Sequence, residues 1–593
     1  MNKIKLTILL LSAFFICRII PLNAQYNDLK LFSGPGLFKW NNFREEKDWR
    51  TIILSAMKEE LIRSKENLRF KDYQPPYFIS YWIKEIESID LAAKYGAIYS
   101  DNNDKTRTAF VEVRVGDYSF DNTGQKGSGF FFGSDHRLYS DSYIIPVEND
   151  ESSIRNVLWY ITDFKYKEAI NNYLKKKGQA VFEAEEEHID SFSREKGYKY
   201  IAPPLKFNFD KKFWKKVLKD ITAYFNDFKD IFESKMRVNA RKEINYYVNT
   251  EGSEIIQENV YYSIHISANT RAKDGMLLSN FRDFNYRLDN NLPDYRFLMN
   301  EAKNLAKELL MLREAEVLKP YTGPAILEPD VTGVIFHEAV GHRLEGERQK
   351  DEESGQTFKD KIGEKILPEF ISIIDDPTIK EFNSTNLYGY YEYDDEGVPA
   401  RRVLLVENGI LRNYLMSRTP IKGFNKSNGH GRSSGSSWSS RPMGRMSNLF
   451  IKSSKEWSYE KLKKALIEEC KKQNKPYGLI IKHIKSGETN TSKYGFQAFK
   501  QTPRLIYTVD VNTGEEKLVR GAEIVGTPLT SINKIIATSD NYLVVNSYCG
   551  AESGFIPVST IAPAILTSEI ELQRTGEIKG RPPLLPPPAY KGK

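Results

Sequence analysis

Two of the chain's seven histidines stand in "FHEAVGHRLEGE", residues 336–347, with a glutamate directly after the first. Metal-dependent proteases commonly carry H-E-x-x-H, which sets both rings on one helical face with the glutamate as base. Here the string His337-Glu338-Ala339-Val340-Gly341-His342 is one residue longer. Zinc takes imidazole nitrogen, thiolate sulfur or carboxylate oxygen, and a catalytic site keeps one position for water. His337 and His342 offer two ligands, and Glu338 is placed to take a proton from metal-bound water. Positions i and i+5 of an ideal α-helix lie roughly 140° apart, so the rings would diverge. Either a π-bulge or a helix end before His342 repairs this, and Gly341 permits both. Without such a repair the two histidines are only neighbours.

Other candidates surround this pair. Glu345 and Glu347 follow the second histidine closely enough to orient an imidazole. His430 and Arg432, in the Gly/Ser-rich stretch "NGHGRSSGSSWSSRPMGR", are candidate substrate contacts on a mobile or ligand-shaped loop. Asp394, Asp395 and Glu396, a carboxylate run before Gly397, rank below Cys549 as ligands because thiolate suits zinc better, and otherwise read as a solvated turn. His136, His188, His265 and His483 have no evident partners and are read as structural or surface residues. Past the first 24 residues two cysteines remain. Cys470 shares a helical face with Leu462, Leu466 and Ile467. Cys549 follows an apolar strand and reads as a loop cysteine, the setting where chemistry is more often placed. It is either a zinc thiolate or the disulfide partner of Cys470.

These groups must be positioned by the elements around them. Apolar spacing predicts helices near 45–68, 210–236 and 293–317, then a strand at "GPAILEP" and a helix N-capped by Asp330 that carries His337. Valines alternating in "AFVEVRVG" predict a strand with one wet face, and a hairpin turns at "NTEG". Further hairpins turn at Asn408-Gly409 and at Asn512-Thr513-Gly514. The charged stretch 176–200 reads as a solvated excursion. The fold class expected is α+β, an α/β N-terminal domain (25–300) followed by a β-rich C-terminal domain (301–575). A Pro-rich tail (576–593) ends the chain.

Lys3 and Lys5, the apolar run "LTILLLSAFFI" and the small-residue exit before Gln25 make residues 1–24 a secretory signal peptide. The expected location is secreted or periplasmic, with no membrane span after signal cleavage. A formal net charge of +7 over 593 residues, interleaved in sign, argues against nucleic acid as a partner.

"GVIFHEAVGHRLEGE" resembles the signature of the TldD/PmbA metallopeptidases, also described as modulators of DNA gyrase. "YEYDDEGVPARRVLLVENGILRNYL", "NGHGR" with "PMGRMSNLFI", "LIIKHIKSGETN", "VRGAEIVGTPLTSINKI" and "SYCGAESGFIPVSTIAPAIL" agree in the same order. The resemblance covers about residues 300–570 well. It implies a metal held by His337, His342 and the cysteine of a late C-G pair, Cys549, with Glu338 as acid/base. It also implies a two-domain fold, an α/β N-terminal half and a mixed, barrel-like, β-rich C-terminal half, dimerising around a cavity, as a homodimer or with a family relative, and trimming of short or unfolded peptides. The family usually continues its C-G with Lys and a Gly-Gln pair, whereas Ala551, Glu552, Ser553, Gly554 and Phe555 stand here. Export argues against a gyrase-related role. The favoured reading is a zinc-dependent peptidase acting on short or unfolded peptides outside the cytoplasm. The other is a peptide-binding or assembly protein whose metal is absent or structural.

Overall fold

The computed structural model describes residues 48–124, 142–180, 188–350, 356–435, 441–489, 499–526, 532–576, 580–585 and 588. The signal-peptide segment, His136 and part of the Pro-rich tail lie outside the described residues.

Helix α1 (Arg50–Asn67) precedes β1 (Pro76–Lys94) and β2 (Ala97–Val115), which pair antiparallel. The short β3 (Ser142–Ile144), α2 (Glu151–Ala180), the short β4 (Lys199–Ile201) and α3 (Lys211–Tyr224) follow. Then come β5 (Glu233–Asn249), β6 (Glu254–Arg271), β7 (Leu277–Arg287) and α4 (Tyr295–Glu314). The strands form a sheet of order β3-β2-β1-β5-β6-β4, with β7 also on β6. Only the β4–β6 pairing is parallel.

Alternation assigns the faces. Ile79, Tyr81 and Ile83 of β1 join Ile244, Tyr246 and Val248 of β5 beneath α1 and α2. Farther along the same face, Leu91, Ala93, Met236 and Val238 pack with Trp214, Val217 and Ile221 of α3 and Leu298, Ala302 and Leu305 of α4. All four helices therefore cover one face. The other meets the C-terminal half: the Tyr388 hydroxyl donates to the Tyr262 carbonyl (2.9 Å), and the Asn285 amide to that of Asn546 (2.9 Å).

That half is a 13-stranded sheet centred on the strand Gly554–Arg574. This strand pairs with Tyr321–Leu327, which pairs with Tyr477–Thr489, then Phe499–Asp510, then Ala522–Gly526, and so back to Gly554–Arg574. The pairings close a ring of five strands, in line with the mixed, sheet-rich half expected. Helix α5 (Pro329–Ala339) packs with Ala325 and Leu327, and α6 (Tyr459–Lys472) with Ile326. The two helices thus lie on opposite faces of the sheet.

Several local expectations change. The 210–236 helix ends at Tyr224, and after a short 3-10 turn Phe228 stands in extended backbone, so the aromatic stripe does not run on to Phe232. Helix α2 carries no clear sequence signal because its polar residues mask the apolar stripe of Ile154, Leu158, Ile161 and Ile170. It also takes residues 176–180 out of the expected excursion. Helix α5 is N-capped by Glu328, with Pro329 in the first turn. Asp330 faces His483 instead, at 3.1 Å from its Nδ1. The Asn408-Gly409 hairpin forms as read, both residues taking positive φ (48° and 79°). Among the described residues no helix is long and apolar enough to cross a membrane.

Candidate metal centre

Helix α5 is held by burial of Val331, Ile335, Phe336 and Ala339 in the main C-terminal core. A Cβ at Gly333 would lie 3.3 Å from Thr560, so the helix backbone approaches the strand Gly554–Arg574 closely. The α-helix stops at Ala339, its last turn closed by Val340 N–H to the Phe336 carbonyl at 3.1 Å. A 3-10 turn, Gly341–Leu344, takes over. Of the two repairs the spacing allows, the chain uses the helix end. Arg343 caps it, its Nη1 donating to the Glu338 and Ala339 carbonyls (2.8 and 3.1 Å) that a helix C-terminus leaves without partners.

The tighter turn swings His342 back toward His337. The ring centroids are 5.0 Å apart and the planes nearly perpendicular, at 89°. Cys549 arrives from the neighbouring strand Ile535–Ala551, where it pairs in register with Ile556. It is therefore a strand residue two positions before the strand's end, not a loop residue. Its Sγ lies 3.0 Å from His337 Nε2 and 3.4 Å from His342 Nε2. The three donor atoms lie within 4.8 Å of one another, and all three residues are buried. Tetrahedral ligation at ~2.0–2.3 Å sets nitrogen and sulfur roughly 3.5 Å apart, so His342 and Cys549 already stand near that spacing and accepting zinc asks His337 and Cys549 to part by about half an ångström. Two imidazoles and a thiolate also suit zinc chemically.

Both cysteines are free. Cys470 packs with Leu462 and Leu466 against Ile326, whereas Cys549 packs with Ile556 and Val558 on the α5 side. The sheet separates them, and no disulfide joins them.

Without metal, the electrostatics favour a thiolate beside a protonated imidazole. Burial pushes the Cys549 thiol up, but the two imidazoles and the Arg445 guanidinium outweigh it and hold the sulfur well below the usual thiol range. Burial likewise opposes a charged His342, but Cys549 and Glu345 raise it well above the ordinary value. Burial raises Glu338, against the pull of the imidazoles. Its Oε2 is 3.9 Å from His342 Nε2, the nitrogen turned to the cluster. A carboxylate raised toward neutrality beside the donor set suits proton transfer.

Glu345 orients His342, its Oε1 3.0 Å from Nδ1. Glu347 does not orient an imidazole. It accepts from Ser417 and from the Gly444 N–H (2.8 Å). His430 and Arg432 are not brought to the cluster. His430 is fully buried, its ring engaged by Asp375 (3.1 Å) and Asn428. Arg432 is 6% exposed and donates to the Met446 and Pro557 carbonyls (2.6 and 2.8 Å). Both side chains brace the loop, whose residues 436–440 lie outside the described residues. Asp394, Asp395 and Glu396 are not a solvated turn. Asp394 and Glu396 are 4% and 6% exposed, and their carboxylates accept backbone N–H groups, as does that of Asp395. Burial pushes Asp394 up to about 7. His265 is half-exposed and meets Asp283 at 2.7 Å; His188 is exposed, 3.3 Å from Asp190.

Sequence reasoning missed Arg445. The signal was there: an arginine inside the otherwise apolar or small run "PMGRMSNLFI" is either exposed or paired, and it proves fully buried.

Residues 320–574 match the family model described as the PmbA/TldA metallopeptidase C-terminal domain. A metalloprotease of Methanocaldococcus jannaschii is 34% identical over 266 residues, 45% of this chain and 53% of that protein. A metalloprotease TldD homolog of Buchnera aphidicola is 29% identical over 298 residues (48% and 57%). A zinc metalloprotease TldD homolog of Saccharolobus solfataricus is 26% identical over 269 residues (45% and 55%). The match thus spans about half the length of these curated relatives. A Thermotoga maritima crystal structure, described as a modulator of a DNA gyrase, superposes with a TM-score of 0.60 at 16% identity, covering 88% of this chain and 99% of that one. TldE from Thermococcus kodakarensis gives 0.55 at 16% identity, covering 87% and 99%. These two likenesses concern the fold.

Proposed function

We propose that this chain, whose residues 320–574 match the PmbA/TldA metallopeptidase C-terminal domain and are similar to metalloproteases of the TldD type, is a zinc-dependent peptidase that hydrolyses short or unfolded peptides. The observation that carries this reading is the convergence of His337 Nε2, His342 Nε2 and Cys549 Sγ. These three residues would hold the metal. The printed name of one relative, a zinc metalloprotease, supports zinc. When bound, zinc supplies Lewis acidity that polarises a peptide carbonyl and acidifies water.

The protein's own groups do the rest. Glu338 takes the proton from the attacking water and returns it to the leaving nitrogen of the cleaved bond. Its burial fits both halves of the task, since a carboxyl raised toward neutrality is a base strong enough to accept the proton and an acid strong enough to give it back. Glu345 fixes the His342 ring through Nδ1, so that Nε2 alone is offered to the metal. The packed walls around α5 exclude water from the rings and keep the charges strong.

Residues 1–24 support action outside the cytoplasm, and the resemblance supports a dimer, with itself or with a relative. The test is metal analysis of the purified protein beside digestion of a peptide mixture read by mass spectrometry. About one zinc per chain with peptide turnover is expected; metal-free protein that binds peptides without cleaving them would favour an assembly role.

A further inference from the structure

Arg445 is a buried cation beside the donor set, and its contacts converge on the piece of backbone that carries Cys549. Its Nη2 donates to the Cys549 sulfur (3.2 Å) and to the Cys549 carbonyl (3.0 Å). Its Nη1 donates to Ser553 Oγ (2.7 Å) and to the Gly554 carbonyl (3.2 Å). All four Nη hydrogens are thus directed at the hairpin end 549–554. On its other side Arg445 Nε lies 3.3 Å from Glu345 Oε1, an ion pair whose angle is too poor for a hydrogen bond. The same Glu345 holds His342 Nδ1 and accepts from Arg348 Nε at 2.7 Å. Arg348 then forks onto Glu552 (2.9 and 2.7 Å), the exposed residue at the hairpin turn.

Resting on the metal-centre reading, we propose that Arg445 is the positioning residue of that centre: it fixes the Cys549 thiolate by a direct charge-assisted hydrogen bond and, through Glu345, fixes His342. Two ligands that come from separate elements, the 3-10 turn after α5 and the hairpin strand, are thereby tied to one planar guanidinium. A fork of this kind cannot be replaced by the point charge of lysine. Burying a charge is costly unless it is paired and its hydrogens are satisfied, and here the partners are the ligand, its carbonyl, its turn and the acid that orients the second ligand. Arg445 itself is located by the short ladder in which Gly431 and Arg432 pair with Gly444 and Met443, and its N–H donates to the His430 carbonyl (3.0 Å). The His430–Arg432 segment therefore serves the centre by placing Arg445.

A hydrogen bond to a thiolate lowers its donor strength. Removing it moves sulfur-to-metal charge transfer to lower energy, a signature that simple loosening of the fold does not produce. The test uses the full chain with cobalt(II) in place of zinc, and compares wild type with Arg445→Lys and Arg445→Met. Zinc affinity is read by chelator competition and folding by circular dichroism. Both variants should lose roughly 10–100-fold in zinc affinity, the range typical of partners that orient ligands. Their cobalt–thiolate band should shift to lower energy, more in the Met variant. If the Met variant does not fold, the Lys variant decides. A folded variant with wild-type affinity and band overturns the proposal. So does lost affinity with an unmoved band, which is what a merely structural role would give. Wild-type protein without any cobalt–thiolate band would instead sink the metal-centre reading on which this rests.

Discussion

Gly341→Ala tests why the two histidines can converge. Its backbone is not left-handed, so the glycine is not required by φ. It is required by Met446: a Cβ at 341 would lie 2.1 Å from the Met446 sulfur and 3.0 Å from its methyl carbon. A relaxed contact needs ~3.5–4.0 Å, so the thioether would have to retreat by about 1.5 Å. Met446 is fully buried in the core that holds Phe336, Val340 and Leu344. Methionine adapts better than a branched side chain, so overpacking should cost about 1–3 kcal/mol. The entropy gained by replacing glycine returns ~0.5 kcal/mol, leaving the variant about 0.5–2.5 kcal/mol less stable. Because residue 341 adjoins His342, zinc affinity should fall as well. The assay is chemical denaturation of metal-free protein for wild type, Gly341→Ala, Met446→Ala and the double variant. Met446→Ala alone should cost about 2–5 kcal/mol. In the double variant the clash is gone, so the two costs should undershoot their sum by about 1 kcal/mol or more. Additivity within ~0.5 kcal/mol, or a Gly341→Ala protein as stable as wild type, would refute the account of this turn.

Glu338→Gln should keep the metal and lose peptide hydrolysis by about 10²–10⁴-fold, the usual weight of a general acid–base; turnover at the parent rate would remove Glu338 from the mechanism. Glu396 is raised well above the ordinary carboxylate value, first by burial and then by Asp394. A carboxyl raised in the folded state contributes stability below its unfolded pKa and loses it as pH rises through the folded value. Denaturation across pH should therefore show Glu396→Gln gaining on wild type above the usual carboxylate range and matching it under acid. Cys470 is fully buried, with its thiol pushed up to about 11 by burial, and Cys549 is 4% exposed. Native metal-free protein should resist alkylation, and intact-mass analysis after denaturation should show both thiols labelled.

The centre was legible because its chemistry is concentrated in a few unusual residues. Two histidines, a glutamate and a glycine within six positions announce a constrained site, and the helix end at Ala339 is one of the two solutions their spacing allows. The third donor was harder to read. Cys549 is over 200 positions from His342, and only strand pairing to Gly554–Arg574 brings it under α5; nothing local encodes that register. The role of Gly341 was legible only in part, since its neighbour Met446 is supplied by a distant segment. The charged positions failed for a related reason. Asp394, Asp395 and Glu396 look like a wet turn because carboxylates are usually solvated, and the backbone N–H groups of Val398, Gly431 and Ser433 that keep them buried cannot be read from residue types.

The most direct test of the account is the position of zinc in crystals of the metal-loaded protein, located by anomalous scattering at the zinc absorption edge. The account predicts one strong peak per chain about 2.0–2.3 Å from His337 Nε2, His342 Nε2 and Cys549 Sγ. A peak elsewhere, a peak that leaves Cys549 unligated, or a bond between Cys549 and Cys470 would contradict it.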